Sequence, residues 1–221
     1  MITDSTNNLS ATRLNFFEKA YALIFSVLFH PVFISLYVVA FIVYLHPSAF
    51  SGYSESNKRQ VMLIVMMNSV FYPLLTVMLL RSLGFIDSIL LKTQKDRIIP
   101  LIACGIFYFW TYTVFHEQER FYWLLQSFFL GIFLAASGAL LANIYAKISL
   151  HATGMGGWLG FFLVIMSERS MLMTWPLLIV ILLTGLVCSS RLLTSDHKPG
   201  DLLLGLILGL LSQVVAAAIT S

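Results

Sequence analysis

The chain is 221 residues long, with 59% hydrophobic and only 10% charged side chains and a formal net charge of +3. Soluble domains carry about 25% charged residues, so this composition cannot clothe a globule in polar groups and points to lipid as the solvent. No run of Lys or Arg exceeds two residues, which leaves no basic patch for nucleic acid, and no nucleic-acid partner is expected.

The first dozen residues are polar and no short apolar segment with a small-residue cleavage site follows, so no removable signal peptide is expected. Residues 16–45 form an apolar stretch longer than the roughly 20 residues one crossing requires. His30-Pro31 interrupts it. The stretch reads either as an interfacial helix followed by a span, or as one tilted helix kinked where Pro31 removes a backbone hydrogen bond. A polar break at 51–60 leads to a second span, 61–80, ended by Arg81 and an amphipathic connector reaching Lys92. The polar cluster 92–97 precedes Pro100 and a third span to Phe115, and residues 116–120 turn the chain into a fourth, 121–146. The apolar segment 154–166 is short for a crossing; 171–188 and 202–219 are full spans separated by polar residues 189–201.

No alternating strand pattern recurs, so the expected fold is all-α: a polytopic transmembrane helix bundle of about six or seven spans in one membrane domain. Residues 1–60 would supply the interfacial helix and first span, and 61–221 the core. Cys104 and Cys188 lie in or beside apolar stretches and read as core residues, with no spacing for a disulfide framework or a zinc site. Counting crossings places the polar segments 92–97, 147–151 and 189–201 on one membrane face, provided 154–166 crosses.

The last of these segments carries the strongest chemical pattern: Ser190-Arg191, five residues, His197, three residues, Asp201. A carboxylate behind a histidine fixes its tautomer and makes it more basic, and an arginine offers a planar fork to phosphate oxygens. Pro199 suits a first helical turn, which would hold Asp201 close behind His197. The same residues also fit a plain helix start, with Asp196 as cap, Asp201 complementing the dipole and His197 on the surface. In the middle segment Lys147, Ser149 and His151 precede Thr153, Gly154, Gly156 and Gly157. Backbone donors at a helix start there would suit an oxyanion. Glycines also permit close helix packing, and Gly156 with Gly160 and Gly205 with Gly209 have that spacing; for Gly205 and Gly209 packing is the stronger reading.

Ser190-Arg191-x5-His197-x3-Asp201 resembles the third signature of the type 2 phosphatidic acid phosphatase superfamily residue for residue. Ser149-Leu150-His151 stands where that family carries Pro-Ser-Gly-His, and Lys92, Lys95 and Arg97 stand where it carries Lys-x6-Arg-Pro. The resemblance covers residues 92–213 and implies a lipid phosphatase fold and a phosphorylated lipid substrate in a membrane bilayer, with no cofactor and no metal. It makes His197 the nucleophile, Asp201 its orienting carboxylate and His151 the proton donor to the leaving alkoxide. Lys92, Lys95, Arg97, Ser149 and Arg191 would hold the phosphoryl oxygens. Ile148 and Leu150 depart from the family's proline and glycine, Ile98-Ile99 separate Arg97 from Pro100, and Leu90 stands where the first-motif lysine belongs. These departures leave room for a phosphoryl-group transferase of the same family.

A transporter or non-catalytic lipid-phosphate binder is the alternative of another class. Ion-coupled carriers place ionisable groups at mid-membrane depth, whereas here they concentrate at span ends. A prenyltransferase would need paired Asp-rich motifs for magnesium, which the chain lacks. Lys and Arg are more numerous on the motif face, which by itself argues for a cytoplasmic face. Four or five of them are the proposed phosphate ligands, and the family resemblance implies an outward-facing site in the cytoplasmic membrane.

Overall fold

A computed structural model describes residues 15–89, 91, 93–118, 123–167, 173–194 and 197–220, which are helical with short connections and contain no strand. Among the described residues eight helices follow in order: α1 (Phe16–Leu28), α2 (Pro31–Leu45), α3 (Glu55–Ser82), α4 (Gln94–His116), α5 (Trp123–Tyr145), α6 (Leu150–Ser167), α7 (Thr174–Thr194) and α8 (Pro199–Thr220). Helices α3 to α8 are each long and apolar enough to cross a membrane, and α1 with α2 form a bent pair that makes either a seventh, broken span or a re-entrant loop. That architecture is the one an integral membrane protein requires.

The first stretch divides into two helices at His30. Pro31 opens α2 instead of kinking a continuous helix, because its missing N–H and fixed φ cost nothing in a first turn. The axes of α1 and α2 meet at 60°. In α3 a π-helical turn over Met66–Phe71 precedes Pro73, whose ring removes one rung of the regular ladder. Ser54 caps α3 by accepting from the Asn57 N–H, so the helix begins six residues before the apolar run.

Local capping moves other boundaries in the same way. Thr93 Oγ1 accepts from the Asp96 N–H at 3.1 Å and starts α4 at Gln94, so Lys95 and Arg97 lie on a helix and not in a loop. Ser149 Oγ accepts from the Ala152 N–H at 3.4 Å and starts α6 at Leu150, which lengthens the marginal segment to 18 residues. Helix α7 continues through Ser190 and Arg191 to Thr194, beyond its expected end.

The centre of the bundle is aromatic, with Phe115, Phe128, Phe129, Phe161 and Phe162 among the largest fully buried side chains. Ile106, Trp110, Leu141, Ile144 and Ile181 are exposed on the outer faces, where lipid tails would cover them. Helices α6 and α8 make the closest pair. A Cβ on Gly205 would stand 2.7 Å from the Ser149 carbonyl oxygen, and one on Gly209 or Gly156 would collide with backbone of the facing helix. These glycines therefore serve packing. The two cysteines are free and half-buried.

Candidate functional site

Four hydrogen bonds draw the polar helix ends together. Arg97 Nη1 donates to the Ile148 carbonyl at 3.0 Å, and the Ser149 N–H donates to the Asp201 carbonyl at 3.3 Å. Gln94 Nε2 donates to the Asn143 carbonyl while Asn143 Nδ2 returns a bond to the Gln94 carbonyl, each at 2.9 Å, tying the start of α4 to the end of α5. The start of α4, the α5–α6 junction and the start of α8 thus share one end of the bundle.

His197 sits between α7 and α8, buried to 8% exposure, and is no surface residue. Its Nδ1 lies 3.4 Å from Asp201 Oδ2, a long contact that fits a ring N–H donating to a carboxylate. Asp201, third residue of α8, also accepts from the Lys198 N–H at 3.0 Å, the reach-back half of a capping box. One carboxylate thus both starts the helix and orients the ring. That orientation leaves Nε2 as the unprotonated nitrogen. Burial holds the His197 imidazole below its ordinary range; Asp201 pulls it up, and the charges of Arg97, Arg191 and Lys147 push it further down.

Arg97 is 7% exposed. Besides Ile148 it holds the Leu91 carbonyl through Nε at 2.9 Å, where Leu91 adopts a positive φ of 47°. Its Nη2 has no hydrogen bond to a described residue. Ser149 is completely buried, with its hydroxyl engaged as the cap of α6. Arg191 projects from the last turns of α7, and its Nη1 donates to Ser26 Oγ at 3.3 Å. His151, in the first turn of α6, is half-buried with Nε2 3.0 Å from the Ser26 carbonyl oxygen. Since a carbonyl only accepts, that nitrogen carries the proton. Lys95 is exposed and hydrogen-bonds to no described residue. Lys92 and Asp196 lie outside the described residues.

Arg97, Ser149, His151, Arg191, His197 and Asp201 therefore gather at one end of the bundle, with Lys95 to one side. Three further residues join them. Lys147 is close enough for its charge to bear on His197, and Ser26 and His30 reach His151 from α1 and the α1–α2 break. Only the His30-Pro31 interruption of an apolar stretch marked that region in the sequence. Among the described residues no three His, Cys, Asp or Glu side chains gather as metal ligands would. No family model, no curated protein and no solved structure matches the chain, so its chemistry must be argued from this cluster.

Proposed function

We propose that the chain is a metal-independent membrane lipid phosphatase of the type 2 phosphatidic acid phosphatase kind, acting on a phosphomonoester or diphosphate of a lipid. The observation that carries this reading is His197, buried beside Asp201 and held under the charges of Arg97, Arg191 and Lys147. Phosphoryl transfer depends chiefly on positioning and charge stabilisation, and a neutral, oriented imidazole among three cations offers both.

In the proposed reaction His197 Nε2 attacks phosphorus while its Nδ1–H stays on Asp201. His151, turned from Ser26 and made an imidazolium by a proton from the substrate's phosphate monoanion, protonates the departing alkoxide as the bond from phosphorus to the lipid oxygen breaks, and becomes neutral. Water then attacks the phosphohistidine, gives its proton to His151 and releases inorganic phosphate. Arg191 and Nη2 of Arg97 would neutralise the equatorial oxygens in both steps. The family fold, the cytoplasmic membrane and the outward-facing side remain parts of this proposal, supported by the motif order.

Detergent-purified protein supplied with phosphatidate, phosphatidylglycerophosphate, polyprenyl diphosphate or lipid A is expected to release phosphate from one of them with a chelator present. His197→Ala is expected to lower that rate by at least about a thousand-fold, as loss of a covalent nucleophile does. Wild-type turnover in the variant would reject the nucleophile, and loss of activity with chelator would point to a metal enzyme.

A further inference from the structure

The elbow between α1 and α2 reaches the cluster from outside the three polar segments. Ser26, near the end of α1, meets two of its members: the hydroxyl accepts from Arg191 and the carbonyl from His151. Tyr21 OH donates to the Leu186 carbonyl at 2.7 Å and fastens α1 along α7. His30 then stands edge-on to the His151 ring, with centroids 5.2 Å apart and planes at 88°. The guanidinium of Arg191 lies close enough for its charge to bear on both rings.

The two nitrogens of His30 have different surroundings. Nδ1 faces the Val32 N–H at 3.4 Å as the cap of α2, so it is the acceptor and Nε2 carries the hydrogen. The residue as a whole is exposed, and Nε2–H meets no described acceptor. A donor on this side of Arg191 complements what the other residues leave unfilled, because Ser149 and two nitrogens of Arg97 are already engaged.

We propose that the α1–α2 elbow is a wall of the anion site and that His30 is a phosphate-binding residue, its Nε2–H donating to a phosphoryl oxygen held by Arg191. Ser26 keeps Arg191 and His151 in place while the site is empty and yields Arg191 to the incoming oxyanion. The inference rests on Arg191 and His151 belonging to a phosphate site, as the phosphatase reading holds.

The test uses the full chain in detergent with His30→Asn, His30→Gln, Arg191→Ala and His197→Ala. Two quantities are read: KM for the preferred lipid phosphate, and binding of inorganic phosphate by calorimetry. Asparagine keeps a capping oxygen for α2 but has nothing at the Nε2 position, whereas glutamine places an amide donor near it. A charge-assisted hydrogen bond corresponds to about ten-fold in binding or more. His30→Asn is therefore expected to raise KM and weaken phosphate binding about ten-fold, with His30→Gln recovering part of the loss. If His30→Asn matched wild type in both while Arg191→Ala weakened both, His30 would be a helix cap only and the inference would fall alone. Phosphate binding that depended on His30 and Arg191 without any lipid hydrolysis would keep the inference and remove the phosphatase. Wild-type protein that bound no phosphate would remove both.

Discussion

Replacing Asp201 by Asn separates its two roles. Oδ2 accepts from the Lys198 N–H at 3.0 Å and faces His197 Nδ1 at 3.4 Å. The amide keeps an oxygen for the helix start, so the stability lost is that of one charge near a helix N-terminus, about 0.3–1 kcal/mol. The charged contact with the imidazole is lost outright. A hydrogen bond to a charged group contributes about 1.5–3 kcal/mol, which corresponds to roughly ten- to a hundred-fold in kcat if the contact tightens as positive charge develops on the ring. The pH profile moves too. His197 is held below its ordinary range by burial and by Arg97, Arg191 and Lys147, with Asp201 opposing them. The attacking form is neutral, so wild-type kcat/KM is expected to fall only as pH drops through a value below the usual histidine range of about 6.5. Removing the one group that raises it shifts this limb to still lower pH. Phosphate release from pH 4 to 8, with thermal unfolding in the same detergent, measures all three effects. A variant with unchanged kcat and an unmoved acid limb would show that Asp201 is a helix cap alone.

Four other outcomes follow from packing and charge. Arg97→Lys keeps the charge but loses the fork that grips the Leu91 and Ile148 carbonyls, so unfolding in detergent should show a loss of about 1–3 kcal/mol together with reduced phosphatase activity. Gly205→Ala and Gly209→Ala would drive a methyl into the α6 backbone and should each cost about 1–3 kcal/mol by the same measurement. Gly185→Ala, with open space around it, should be neutral or slightly stabilising, since alanine is the better helix former by about 1 kcal/mol. Tyr21→Phe removes the hydroxyl bond to Leu186 and should speed proteolysis or amide exchange of α1 while leaving α8 protected.

How much was legible depended on sequence distance. The helical nature of the chain and the number of spans followed from composition, because lipid leaves a spanning backbone no partner but itself. The His197–Asp201 pair was also legible, since residues four apart at a helix start meet whatever surrounds them. Helix ends were less so. Thr93, Ser149 and Ser54 each extend a helix into polar sequence by satisfying one backbone N–H, which an apolar count does not register.

Tertiary structure alone decided what faces what. It showed what Gly205 and Gly209, already read as packing residues, pack against: α8 lies on the carbonyls of Ser149 and Thr153. It turned Ser149 into a buried cap and gave two nitrogens of Arg97 to carbonyls. It also carried Ser26 across 125 residues to His151 and 165 to Arg191. No local spacing encodes such meetings; they arise because apolar helices pack by shape, and the polar groups at their ends pair with whatever that packing brings within reach.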